Sequence, residues 1–354
     1  MDRAYFRLAF LATCLAFVVV ILGAFTRLSD AGLGCPDWPG CYGQLSVPHT
    51  QSALYKAAQN YPSIPVEQKK AWAEMVHRYF AGSLGLIILI LAIWALVRRR
   101  KHKTQAVILP LCLVGLVIFQ AALGMWTVTW KLLPLVVMGH LLGGLAILGA
   151  LWCLCLTLRR APSVPAASAR QALRASFLTK REGDSFYLNK LFFASLLGLI
   201  IIILQIFLGG WTSSNYAAII CPDFPYCNSQ LFPAMNIKQA FNFFSPIGAN
   251  YQGGALAAPA RVAIQMFHRY GGAITGLYIG MLAWYLMFFR RAAYFRSLGW
   301  LIFILLIIQI CLGMLNVLWH LPLAIAVAHN GTAALLLLSV ITLVYKVQPI
   351  MKTY

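Results

Sequence analysis

Long apolar runs separated by short polar breaks occupy almost the whole chain. Eight of them reach the about 20 residues that a helix needs to cross a ~30 Å hydrocarbon core. They lie near 8–26, 76–97, 105–127, 134–158, 189–211, 262–289, 298–318 and 322–345. Helices that are apolar on all sides are buried in protein or immersed in lipid, so the pattern predicts an all-α integral membrane protein with eight transmembrane helices. Arg3 and Arg7 precede the first run as they would in a secretory signal. No small-x-small cleavage pattern follows, and the run continues as Gly23-Ala-Phe-Thr-Arg27, so it reads as a retained span.

The pattern is also periodic on a larger scale. Cys35-Pro-Asp-Trp-Pro-Gly-Cys41 returns 186 residues later as Cys221-Pro-Asp-Phe-Pro-Tyr-Cys227, and His77-Arg78-Tyr79 returns after 191 as His268-Arg269-Tyr270. Gln120 and Leu123-Gly-Met125 match Gln309 and Leu312-Gly-Met314; Pro134 matches Pro322, and His140 matches His329. Markers in one order at nearly one offset indicate a duplication. The expected architecture is two tandem pseudo-symmetric four-helix bundles, 1–158 and 189–354, joined by a basic Ala-, Ser- and Pro-containing linker at 159–188. An even number of spans per unit orients both copies the same way across the membrane. Each unit also has one long outer segment, roughly 28–73 and 212–260.

Composition supports lipid as the main solvent, with 61% hydrophobic and 10% charged residues. The net charge of +20 does not call for nucleic acid, because 19 of the 28 basic residues fall in segments on one side of the predicted spans. Arg98-Arg-Arg-Lys101 and Arg290-Arg291 lie directly at span ends, where the positive-inside rule acts most strongly. These residues predict a multi-pass protein of the cell inner membrane with both termini cytoplasmic, in contact with membrane lipid.

Chemistry enters with the histidines. His77, His140, His268 and His329 occupy matching positions on spans, where an imidazole is costly and points to function. At about 1.5 Å per residue, His140 lies about 9 Å below Pro134, placing it in the outer half of the bilayer with His77. Paired histidines on facing helices of a bundle commonly hold heme iron. Zinc fits less well, since neither half offers a third convergent ligand beyond Glu74. Gly139, Gly143, Gly144, Gly271, Gly272 and Gly331 would let a porphyrin approach the backbone, or simply let helices pack closely. Arg78 and Arg269 are candidates for pairing with propionates or for snorkelling towards headgroups. His49, His102 and His320 have no repeat partners and stay outside the site.

The halves differ at one position. Glu74 stands three residues before His77 and shares its helix face, whereas Gln265 stands three before His268. The exchange suggests chemistry in the first half and a permanently held heme in the second. Glu74 is the candidate catalytic residue, as proton acceptor or as a stabiliser of developing positive charge; a boundary ion pair with Arg78 or Lys70 is the plainer reading. Cys35 with Cys41 and Cys221 with Cys227 are disulfide candidates, read either as staples or as redox-active pairs. Cys14, Cys112, Cys153, Cys155 and Cys311 lie on spans and need no special role.

Together, Glu74-x-x-His77, His140, His268, His329, both cysteine pairs and the eight spans resemble the heme A synthase family (CtaA or Cox15-type proteins) over essentially the whole chain. The resemblance implies a heme O substrate held by His77 and His140 beside Glu74, and a heme b cofactor held by His268 and His329. It further implies an oxidoreductase acting on a CH group, which converts the C8 methyl of heme O to the formyl of heme A for cytochrome c oxidase. Heme O synthase and oxidase assembly factors are the implied partners, and a homo-oligomer is compatible. Two rivals are a diheme b-type cytochrome exchanging electrons with quinone and a transporter. The first usually places its hemes at different depths; the second would show a helix broken at mid-membrane.

Overall fold

The computed structural model describes residues 3–101, 107–160, 182–244, 246–247, 249–289 and 292–348. Among them the chain is helical, without strands: α1 (Arg3–Leu28), α2 (Gln51–Asn60), α3 (Gln68–Lys101), α4 (Ile108–Thr129), α5 (Pro134–Arg160), α6 (Glu182–Ser214), α7 (Ile237–Ala240), α8 (Ala258–Phe289), α9 (Ala293–Leu318) and α10 (Leu323–Val347). All but α2 and α7 are long and apolar enough to span a membrane. Each matches one of the eight expected runs. His102 and Arg290-Arg291 lie outside the described residues, as do residues 161–181 of the expected linker; its last residues, from Glu182, belong to α6.

Local chemistry sets the ends. α5 begins on Pro134 and α10 follows Pro322, a residue that suits a helix start because it lacks the N–H that would go unpaired there. The turn before α5 passes through Lys131 and Leu132 in left-handed conformation, and the turn before α10 repeats it with His320 and Leu321. In the outer segment, Thr50 caps α2 by accepting a hydrogen bond from the Ala53 N–H at 3.2 Å. α3 has 34 residues, about 51 Å of helix, so its polar first turns project beyond the ~30 Å core.

Helices α1 and α4 each pack against α3 and α5, while α6 and α9 each pack against α8 and α10. The two sets meet where α1 touches α10 and where α5 touches α6 and α10. The core runs through that seam, with Ala9, Ala12 and Ala16 of α1, Leu148 and Leu151 of α5, and Val340 of α10 all buried. Glycines permit the approach: a Cβ at Gly331 would lie 2.7 Å from Ile21, and one at Gly149 3.0 Å from Ile341. Trp152 Nε1–H donates to Thr342 Oγ1 at 2.7 Å across the same seam. Outward faces carry Phe10, Leu86, Ile93, Phe119, Trp284 and Ile304, the apolar surface expected against lipid.

Candidate functional site

The four repeated histidines fall on α3, α5, α8 and α10, and each ring lies against a glycine of the neighbouring helix. A Cβ at Gly23 would stand 3.0 Å from His77 Cε1, at Gly124 3.1 Å from His140, at Gly209 3.0 Å from His268, and at Gly313 3.1 Å from His329. Each glycine closes the same five-residue pattern: Val19-x-x-Leu22-Gly23, Gln120-x-x-Leu123-Gly124, Gln205-x-x-Leu208-Gly209 and Gln309-x-x-Leu312-Gly313. Spans α1, α4, α6 and α9 thus serve as seats for histidines on α3, α5, α8 and α10.

In the N-terminal half the rings of His77 and His140 come together, with centroids 6.3 Å apart and planes at 79°. A metal–imidazole bond is about 2.0–2.1 Å and a ring nitrogen lies about 1.1 Å from its centroid, so imidazoles on opposite sides of one metal have centroids about 6.3 Å apart. The two rings therefore have the separation that a shared metal requires. Nδ1 of both is sealed from solvent without a side-chain hydrogen-bond partner, while each side chain keeps part of its surface accessible.

In the C-terminal half both rings touch a glutamine. The Gln205 amide nitrogen lies 3.0 Å from His268 Nδ1 and also 3.0 Å from the His268 carbonyl. The Gln309 amide lies 3.1 Å from His329 Nε2, so that nitrogen becomes available to a metal once this amide turns aside. The Gln120 side chain donates to the His140 carbonyl at 2.6 Å rather than to its ring.

Above the histidines sit the disulfide loops. Cys35–Cys41 and Cys221–Cys227 are closed, with sulfurs 2.00 and 1.98 Å apart. In the first loop Asp37 accepts the N–H groups of Tyr42 at 2.6 Å and Gly43 at 2.8 Å; in the second Asp223 accepts those of Asn228 at 2.8 Å and Ser229 at 2.7 Å. These N–H donors, foremost that of Ser229, hold the Asp223 carboxyl below the usual carboxylate range. Both loops contain a cis X-Pro bond, at Trp38-Pro39 and Phe224-Pro225.

Glu74 is buried beneath the first loop, accepting the Cys35 N–H at 2.9 Å on Oε2 and pairing with Arg78 through Oε1. Arg78, expected near propionates, donates to the loop carbonyls of Asp37 at 3.0 Å and of Pro39 and Gly40. Arg269 likewise donates to Asp223 at 2.8 Å and to Tyr226, and its Nη2 donates to the Cys221 carbonyl at 2.8 Å. Gln265, where Glu74 would be, is buried with Oε1 unpartnered. The glycines expected to admit a porphyrin receive side chains instead, Leu123 at Gly139, Gln120 at Gly143 and Gly144, Gln205 at Gly271 and Gly272, and Ile21 at Gly331.

The sequence reading marked Gln120 and Gln309 but passed over Val19, Gly23, Gln205 and Gly209. The fourfold Leu-Gly doublet, three times preceded by Gln at the same distance, was the signal available; it is inconspicuous among apolar residues.

These features define a class: helical multi-pass membrane proteins with paired histidines beneath disulfide-closed outer loops. Residues 6–341 match the family model of COX15-CtaA, cytochrome oxidase assembly protein, and the chain belongs to that family. It is 44% identical over 328 residues to the heme A synthase of Shewanella oneidensis, covering 93% of this chain and 92% of that one. The heme A synthase of Alkalihalophilus pseudofirmus is 26% identical, with 88% and 86% of the two chains covered, and that of Neorickettsia sennetsu is 26% identical, with 92% and 94% covered.

Proposed function

We propose that the chain is a heme A synthase, oxidising the C8 methyl of heme O to the formyl of heme A, with the two halves acting as tandem four-helix bundles of unequal duty. The 6.3 Å spacing of the His77 and His140 rings is the observation that carries this reading. Those two residues hold the substrate, and His268 with His329 hold a resident heme b. Both termini lie in the cytoplasm, and both heme sites lie towards the outer face. Heme O synthase and oxidase assembly factors are the partners that the reading implies.

Heme b supplies one-electron redox chemistry when bound. The chain itself does the positioning. Gly23 and Gly124 fix the planes of the substrate-half rings, while the first disulfide loop covers Glu74 and excludes water. Hydrogen bonds from Cys35 N–H and Arg78 hold the Glu74 carboxyl in place, where as a carboxylate it stabilises positive charge on the substrate. Each carboxylate oxygen keeps a further lone pair, so proton acceptance is open to Glu74 as well. A diheme cytochrome that only passes electrons has no use for the difference between Glu74 and Gln265.

Extracting the pigments from purified protein and weighing them tests the assignment. The expected finding is heme b together with heme O, its hydroxylated form or heme A. Heme b alone, in cells that make heme O, would reject the synthase in favour of the cytochrome.

A further inference from the structure

Two coordinated differences separate the seats of His77 and His268. Beside His268, the Gln205 amide reaches both the ring and the carbonyl of the same residue. Its oxygen fits only because position 271 is glycine: a Cβ there would lie 2.4 Å from Gln205 Oε1. At the matching places of the first half stand Val19 for Gln205 and Phe80 for Gly271. A valine side chain offers no hydrogen bond to a ring, and a residue with a Cβ at position 80 closes the space that a glutamine would need. His77 correspondingly meets only the backbone of Val19, and its buried Nδ1 has no side-chain partner.

We propose that Gln205 is a positioning residue that locks His268, and that the Val19–Phe80 pair leaves His77 without a side-chain lock, so that the first half exchanges its heme while the second retains it. The inference rests on the heme-ligand reading above. Physically, a ligating imidazole bound through one nitrogen is held in orientation by whatever bonds the other, and loss of such an outer contact typically weakens metal binding about 10- to 100-fold. Gln205 supplies that contact by rotating its amide so that the oxygen accepts from Nδ1–H. That rotation exchanges the bond to the His268 carbonyl for one to the ring and turns the amide nitrogen to the space left by Gly271. A substrate site must let its product leave, so an unlocked histidine is an advantage there and a defect in a cofactor site.

The test uses full-length protein in detergent, loaded with hemin, with heme loss followed by capture in excess apomyoglobin. His77→Ala isolates the second site and His268→Ala the first. In the His77→Ala background, Gln205→Val is expected to speed heme capture about tenfold or more and to shift the low-spin electron paramagnetic resonance signal of the bound heme. In the His268→Ala background, Val19→Gln combined with Phe80→Gly is expected to slow capture by a similar factor. A merely structural glutamine would change neither the resonance signal nor, in the reciprocal swap, the first site. Unchanged capture and an unchanged signal for Gln205→Val overturn the proposal. Failure of the underlying ligand reading looks different: His268→Ala with its heme complement intact refutes heme ligation at that residue, whatever Gln205→Val does.

Discussion

Arg78 and Arg269 perform the same task in opposite halves, each holding the carbonyls of a disulfide loop, yet they face different neighbours. Arg78 pairs with buried Glu74, which in turn accepts the Cys35 N–H at 2.9 Å. Arg269 has Gln265 in that place and turns Nη2 to the Cys221 carbonyl at 2.8 Å. One arginine therefore meets a carboxylate as well as loop carbonyls, and the other makes its hydrogen bonds to loop carbonyls. Duplication kept the scaffold and varied the charge placed beneath it, and that variation is where the proposed division between substrate and cofactor halves resides.

Exchanging the two residues breaks the comparison most severely. Glu74→Gln is expected to lower heme A formation by roughly 10²- to 10⁴-fold while heme content is retained, and Gln265→Glu in the same chain should not restore it. Pigment analysis of both variants checks this; full output from Glu74→Gln would remove the catalytic role.

The cysteine pairs sharpen it. Opening either short disulfide should cost about 2 kcal/mol of loop stability in the chain-entropy model, so thermal denaturation should respond similarly to Cys35→Ser with Cys41→Ser and to Cys221→Ser with Cys227→Ser. Heme A formation should not respond similarly, because only the first loop donates a hydrogen bond to Glu74. Equal activity loss in both double variants would show that the loops do not differ in function.

The smallest expected effect concerns acid. Asp223 has its carboxyl lowered by the Ser229 and Asn228 N–H groups. A carboxyl depressed in the folded state stabilises above its unfolded value, about 3.9, and that contribution is lost as pH falls through the lower folded value. Protease nicking of the second loop should therefore rise only below the ordinary carboxylate range. With Asp223→Asn the same nicking should already be present at neutral pH.

Much of this molecule was legible in its residues. Eight spans, the repeat, the four histidines and the exchange of Glu74 for Gln265 all follow from hydropathy and spacing, because a span must be apolar over a fixed length and intramembrane polar residues stand out against it. The paired cysteines were legible as candidates, though not that both pairs are closed. The roles expected of Arg78 and of the glycines were harder. A guanidinium has several donors, and spacing along a helix does not say which loop folds back to meet it. A glycine that admits one group admits another, and only packing shows that Gln120 and Gln205 lie against Gly143 and Gly271.

Sequence alone determined what each helix contains and how far along it each histidine stands, since both depend on distance along one axis. Tertiary structure decided which helix each histidine faces, that the His77 and His140 rings stand 6.3 Å apart, and that Glu74 is bound to the Cys35 loop. Those are contacts between segments far apart in the chain, fixed by packing of side chains across helices, and no local pattern encodes them.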